Sequence, residues 1–170
     1  MNYILTQAGK RLMAEIRAGA QLIITRAEAG AEFASNPEEL LSVQNKKQSV
    51  QVEETETIEK TTIIHMLLSN LEITEEYVMK QMGIYARSSA SNEEVLFIIG
   101  QDRYGEKIPA LGEQVINFKY TVSLRSENTY STKIQVNIND FATKGYLQNM
   151  ISQLVDSNTF IEAGSPVEEN

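Results

Sequence analysis

The 170 residues carry 23 acidic and 15 basic side chains, a formal net charge of −8, 42% hydrophobic residues and no cysteine. An apolar fraction of that size suits a globular domain, and a chain this long buries a core without covalent staples. The acidic balance disfavours a phosphate backbone as partner, the missing thiols exclude disulfides, thiolate metal sites and a cysteine nucleophile, and no apolar run reaches the ~20 residues of a helical membrane span.

Leu5, Ala8, Leu12 and Ile16 recur at the spacing of one helical face, widened by Met13 and Ala20. Thr6 as N-cap and Gly19 as the stop predict a helix over residues 6–18, with Leu5, Leu12 and Ile16 in the core. Leu22-Ile23-Ile24-Thr25 reads as a short strand that runs out at Ala29-Gly30. Asn36-Pro37 marks a turn, and residues 38–41 a single helical turn after it.

From residue 48 the pattern is mostly extended. Val50 and Val52 lead into Glu53, Glu54, Glu56 and Glu59, and strict alternation puts Glu54 and Glu56 on the face of the two valines. Residues 61–73 are apolar on both faces: Thr62, Ile64, Met66 and Leu68 share one, and Ile63, His65, Leu67 and Leu71 the other. Such a strand needs cover on both sides, from another layer or another subunit, so Ile63, His65 and Leu67 are candidate partner-interface residues. In residues 77–87, Val78, Met82, Ile84 and Ala86 read as one phase, and residues 95–100 are a further buried run.

Residues 115–125 alternate Ile116, Phe118, Tyr120, Val122 and Leu124 with polar neighbours; residues 130–139 do the same with Tyr130, Thr132, Ile134, Val136 and Ile138. Joined by residues 126–129, they predict an antiparallel hairpin with one wet face. Beyond Asp140 the period is helical again, with a stripe of Tyr146, Leu147, Met150, Ile151, Leu154 and Val155. Leu147, Met150, Ile151 and Leu154 are candidate oligomer-interface residues, as in a short bundle entering a fibre shaft; a helix packed on its own sheet fits the same stripe. The expected fold is α+β: an N-terminal helix on a mainly antiparallel sheet or sandwich, then a C-terminal helix. Its expected divisions are a domain over 1–140, the helix over 141–157 and a tail or linker over 158–170.

Signatures of catalysis are sparse. His65, the one histidine, lies in an apolar strand and cannot by itself supply a multi-histidine metal site. There is no Gly-x-Ser-x-Gly elbow, phosphate loop or dinucleotide fingerprint, and Gly105-Glu106-Lys107 reads as a turn. The acidic residues 53–59 could bind calcium or place two carboxylates for sugar hydrolysis, but their spacing is not that of an EF-hand. An edge strand whose charges discourage stray pairing accounts for them simply. Tyr104, within Asp102-Arg103-Tyr104-Gly105, is the best candidate for an exposed aromatic that stacks on a sugar. No enzymatic activity, cofactor or metal is expected.

The order of these features carries a resemblance. Ile4-Leu5-Thr6-Gln7-Ala8-Gly9-Lys10, an amphipathic helix, and then Leu22-Ile23-Ile24-Thr25-Arg26-Ala27-Glu28-Ala29-Gly30 resemble the start of phage tail-collar fibre proteins. Those begin with a Leu-Thr-x-Ala-Gly helix and a strand leading to a small-residue turn. Lys80-Gln81-Met82-Gly83-Ile84-Tyr85-Ala86 resembles the family's Glu-Val-Gly-Leu-Tyr strand, residues 95–100 the apolar strand after it, and Ile108-Pro109-Ala110 with the alternating strand beyond also fits. The resemblance covers about residues 1–140. It departs at Ala29-Gly30-Ala31-Glu32, where the family has a Gly-Asp-Gly-type turn, and at Lys80-Gln81, where the family has an acid.

What the resemblance implies is a virion-attachment module, usually a homotrimer, that anchors a fibre to the baseplate of a contractile tail in a phage or a phage-tail-like bacteriocin (tailocin). Family members continue into a shaft and a receptor-binding tip, so a sequence of this length points to docking or adapting. The implied partners are baseplate proteins and a distal fibre or receptor-binding protein, with no nucleic acid and no membrane insertion. The implied location is the particle, assembled in the host cytoplasm and released by lysis. The opening MNYILTQAGKR, without the basic-then-apolar order of a secretory signal, agrees with that route. The alternative is a receptor- or glycan-binding module contacting the host surface through Tyr104 or residues 53–59. A glycan hydrolase using Glu54 and Glu56 is the third reading.

Overall fold

The computed structural model describes residues 1–58, 61–125 and 132–134. The chain divides into a unit Met1–Asn137 and a unit Ile138–Asn170, and the described residues all lie in the first. In chain order they form β1 (Asn2–Leu5), α1 (Gln7–Arg17), β2 (Leu22–Gly30), β3 (Lys46–Ile58), β4 (Thr61–Ser69), β5 (Tyr77–Ser88), β6 (Val95–Ile108), β7 (Asn117–Arg125) and β8 (Thr132–Ile134), with a single 3-10 turn at Pro37–Glu39.

Seven strands make one curled antiparallel sheet in the order β1-β6-β5-β2-β3-β4-β7, and β8 joins it parallel to β2. The fold of the described residues is mainly β, 55% strand with one helix, and this corrects the α+β expectation. β6 runs as one strand through Gly105-Glu106-Lys107, which the sequence reads as a turn, whereas β2 ends at Gly30, where its strand is expected to run out. The C-terminal helix expected over 141–157, with Leu147, Met150, Ile151 and Leu154, lies outside the described residues.

The N-terminal helix forms where its caps place it. Thr6 is extended (φ −72°, ψ 169°), and its Oγ1 accepts from the Gly9 N–H at 2.9 Å, satisfying a donor that the first helical turn leaves open. The same hydroxyl donates to the Leu96 carbonyl, and the Thr6 N–H donates to the Phe97 carbonyl at 3.1 Å, so the cap is also a splice to β6. Ala8, Leu12, Met13 and Ile16 are buried. Gly19, at φ +109°, ends the helix with its N–H on the Ile16 carbonyl at 3.0 Å.

β3 changes partner along its length. Residues up to Val50 pair with β2, and residues from Gln51 pair with β4. Where β3 leaves β2, β8 takes the vacated edge opposite Leu22, Ile23 and Ile24. This overturns the expected hairpin: β7 pairs with β4 over its whole length, and β8 pairs with β2. The alternation of the two segments was compatible with any half-buried neighbour, and it could not say which strand that neighbour was.

The inner face of the sheet carries one apolar cluster that includes Leu22, Ile24, Ala27, Val50, Ile64, Met66, Leu68, Met82, Ile84 and Phe97, packed with Leu12, Met13 and Ile16 of α1. Each fully buried side chain of this kind contributes roughly 1.5–3 kcal/mol of transfer free energy. A second cluster, Val43, Tyr85, Leu96 and Ile99, lies on the outer face of β5 and β6. There the segment between β2 and β3 crosses the sheet, and a β-carbon at Gly30 or Gly83 would collide with Val43.

Register shifts interrupt the ladders at five places among the described residues, and three of them bear on the surfaces. β2 and β5 slip between Ile24 and Arg26, β3 and β4 slip between Val52 and Glu54, and in β5–β6 the single residue Lys80 faces the four-residue excursion Asp102 to Gly105. The second slip corrects the placement of the acidic residues. Val52 pairs with buried Met66, but Glu54 and Glu56 pair with His65 and Ile63, in register with the outer face. The third takes Val78 out of phase with Met82 and Ile84, leaving it 39% exposed.

Candidate docking surfaces

β4 alternates strictly between the two faces. Thr62, Ile64, Met66 and Leu68 are buried inside, while Ile63, His65 and Leu67 are half-buried outside. Polar residues flank that outer row. On the β7 side Ser123, Thr121 and Lys119 face Ile63, His65 and Leu67; on the β3 side Glu56 faces Ile63 and Gln51 faces Leu67. His65 Nδ1 lies 3.3 Å from the Thr121 hydroxyl, within hydrogen-bond reach. The matching face of β5 is covered: Gln81, Gly83 and Tyr85 are buried beneath the β2–β3 segment. Val43 N–H donates to the Tyr85 hydroxyl at 3.0 Å, and Gln44 N–H donates to Gln81 Oε1 at 2.8 Å. The outer face is thus sealed over β5 and half open over β4.

An ionic cluster supports the sealed part. Glu28, 6% exposed, takes ion pairs from Arg26 and from Lys46, the latter at 2.6 Å. Arg26 also pairs with Glu94 at 2.8 Å and stacks on Tyr85, its guanidinium carbon 3.6 Å from the ring centre. Burial alone would raise the Glu28 carboxyl, but hydrogen bonds from Lys46 and Tyr85 and the charge of Arg26 outweigh it and hold the group below the ordinary carboxylate value. Burial, with Glu28 adding to it, pushes the Tyr85 phenol up to about 12.

The excursion in β6 is built to protrude. Asp102 Oδ1 accepts from the N–H groups of Tyr104 at 2.9 Å and Gly105 at 3.3 Å. These bonds hold its carboxyl below the usual range. Gly105 sits at φ +70°, where a side chain would be strained and would also meet the Met79 carbonyl at 2.6 Å. Tyr104, at the tip, is 88% exposed. Beside it Arg103 lies 5.4 Å from the centre of the Phe33 ring. The sequence singled out Tyr104 but not Phe33, because no local pattern links residue 33 to residue 103.

A third exposed apolar group lies between β6 and β7: Leu111, Val115 and Ile116 are 44%, 39% and 42% exposed. Asn70, 1% exposed, fixes the ends of this segment. Its Oδ1 accepts from the Ile116 N–H at 2.7 Å and its side-chain amide donates to the Ala110 carbonyl at 3.3 Å. A lone apolar residue such as Leu111 between Pro109 and Gly112 is the only trace of this in the sequence. On the inner side, Tyr120 of β7 donates to Glu106 of β6 at 2.6 Å, linking opposite parts of the curl.

No family model, curated protein or solved structure matches the chain. Among the described residues no three His, Asp or Glu side chains gather as a metal set, and none of the helices is long and apolar enough to cross a membrane. Of the residues singled out from sequence, Ile63, His65 and Leu67 therefore share one half-open face, and Tyr104 stands apart from them on another element. Glu53 and Glu56 are exposed on β3.

Proposed function

We propose that this chain is a structural docking module of a phage or phage-tail-like particle, one that seats or adapts a tail fibre at the baseplate. The reading rests on the outer face of β4, where Ile63, His65 and Leu67 stay half-buried while the equivalent face of β5 is sealed. A mixed apolar and polar strip on a rigid sheet is the composition of a protein interface, with a desolvated centre and a wet rim. The likeness of Leu5-Thr6-Gln7-Ala8-Gly9 and of Lys80 to Ala86 to tail-collar fibre proteins supplies the identity of the machine. The role is passive: a preformed surface holds a baseplate protein on one side and a distal fibre protein on the other.

The test is co-expression of the chain with baseplate and fibre proteins of its host particle, followed by affinity capture of the pair. Ile63→Asp and Leu67→Asp lie on the open face, so they should abolish capture and leave the circular dichroism spectrum unchanged. Normal capture and incorporation of both variants would refute the reading.

A receptor- or glycan-binding role is the second reading, favoured by one observation: Tyr104 is 88% exposed on a braced excursion, with Arg103 and Phe33 beside it. A glycan array would decide between them. Binding that vanishes with Tyr104→Ala but survives Ile63→Asp would move the function to the excursion.

A further inference from the structure

The excursion of β6 brings together two cations that have no carboxylate partner among the described residues. Arg103 rests beside Phe33, its guanidinium carbon 5.4 Å from the ring centre. Lys80, the single β5 residue facing the excursion, lies against Gly105, where a β-carbon would come within 3.0 Å of its Cγ. Neither enters an ion pair there. The neighbouring carboxylates are engaged elsewhere: Asp102 by the N–H groups of Tyr104 and Gly105, Glu106 by the Tyr120 hydroxyl and Glu76 by Lys107 at 2.9 Å. Apolar surface surrounds the two cations. Tyr104, Phe33 and Val78 are all exposed, and Val78 Cγ1 would lie 2.6 Å from a β-carbon at Gly105, so it borders the excursion. The base is fixed. The Ala34 N–H donates to Gln101 Oε1 at 2.8 Å, Gln101 Nε2 donates back to the Ala34 carbonyl at 3.2 Å, and Gln81, fully buried, donates to the same Gln101 oxygen at 2.8 Å.

We infer that this tip binds an acidic segment of a partner protein, with an apolar side chain laid among Tyr104, Phe33 and Val78 and carboxylates on Arg103 and Lys80. A guanidinium takes a carboxylate through its N–H fork while one face stays on an aromatic ring, so Arg103 need not leave Phe33 to bind. Tyrosine and arginine are the side chains that anchor protein interfaces, and a braced loop has little freedom left to lose on association. The net charge of −8 does not cancel the two cations locally, because charges farther off than about 8 Å are screened at physiological salt. A sugar is the poorer match. Small-ligand sites are concave and enclose most of what they hold, whereas this tip projects, and the carboxylate that could fix a sugar, Asp102, is turned onto its own backbone. The inference rests on the second reading above only in taking the excursion as a binding surface; it names the ligand, and it does not depend on the particle in which the chain works.

The probe is a displayed library of random linear peptides, selected on the full chain and counter-selected on Tyr104→Ala. Enriched peptides should combine Asp or Glu with aromatic or large aliphatic residues. Synthesised singly, they should bind the full chain in fluorescence anisotropy and lose affinity about tenfold with Tyr104→Ala. Selection on Arg103→Glu should reverse the charge preference and enrich Lys and Arg. Both positions are exposed, so neither substitution should change the circular dichroism spectrum or the melting temperature. Peptides indifferent to the charge at residue 103, or none that discriminate against Tyr104→Ala, would overturn the inference. Tyr104-dependent binding of neutral glycans without acidic peptides would overturn it and leave the second reading standing; binding of neither kind would remove both.

Discussion

Replacing Gly9 by alanine sets two forces of opposite sign against each other. Gly9 is in the first turns of α1, where helix propensity alone favours alanine by about 1 kcal/mol. The packing opposes it. A β-carbon there would fall well inside contact with the Phe97 carbonyl oxygen, with the carbonyl carbon at 3.0 Å and Cα at 3.2 Å. These are backbone atoms of β6, a strand held between β1 and β5, so they cannot rotate aside. The helix would have to lift by roughly 1 Å to regain ordinary contact. The lift strains the Thr6 cap, whose bonds to Gly9 and Phe97 span 2.9 and 3.1 Å. Overpacking costs about 1–3 kcal/mol and a weakened cap about 1 kcal/mol, so the net loss after propensity is about 1–3 kcal/mol. For a chain of this size that lowers Tm by roughly 3–10 °C. Thermal and urea unfolding followed by far-ultraviolet circular dichroism measures it. A variant that melts at the same temperature or higher would show that α1 is not seated on β6 as described.

Three other outcomes are expected. Asn70→Ala leaves the Ile116 N–H and the Ala110 carbonyl without their side-chain partner; hydrogen exchange of the Leu111 and Ile116 amides should quicken about tenfold, and unchanged protection would count against the anchor. Glu28 is held below its ordinary value of 4.5, so its contribution to stability is complete above that pH and is lost as pH falls through the folded value. Urea midpoints should therefore drop more steeply at acid pH for the unmodified chain than for Glu28→Gln. Burial pushes Tyr3 and Tyr85 from 10.0 up to about 12, so the stability they add is complete below pH 10 and lost as pH rises toward 12. Ultraviolet titration of tyrosinate should show ionisation delayed past the ordinary phenol range and coincident with alkaline unfolding.

What could be read in the sequence was local. The helix was legible because Thr6, Gly19 and the stripe Leu12–Met13–Ile16 encode start, stop and buried face within a dozen residues. The inner phase of β4 was legible because its alternation is uninterrupted. What failed depended on neighbours distant in the chain. The slip beside Glu53 turns the acidic residues to the outer register, and nothing between Val50 and Glu56 announces it. The excursion at Asp102 to Gly105 is the same kind of event, and there a hint existed: an Asx-type residue three before a glycine is a turn signal. Gly105-Glu106-Lys107 reads as a turn, when it lies within one continuous strand. The partner of β7 was lost for a third reason. A period-two pattern states that one face is buried, and both β4 and a hairpin mate satisfy it equally. Tyr104 was found because exposure at a turn is local, whereas its neighbour Phe33 is distant in the chain, on the segment between β2 and β3 that Ala34 ties to Gln101 of β6.

The residues that carry the family likeness are mostly residues of folding. Thr6 caps and splices, Ala8 is buried, Gly9 admits the helix to β6, and Gly83 admits Val43 to β5. Each is needed for geometry, and none offers a side chain to a partner. A likeness resting on them bears on how the domain is built before it bears on what the domain holds. Recognition must come from side chains that the fold leaves free to vary, and on this sheet those include the outer row of β4 and the tip of β6. The two surfaces make separable demands. Ile63→Asp tests a partner across the face, and Tyr104→Ala a ligand at the tip. Because Gly9→Ala perturbs the fold beneath both, it should weaken both activities together. A Gly9→Ala chain that lost one and kept the other intact would break the link drawn between the Leu5–Gly9 motif and the sheet beneath these surfaces.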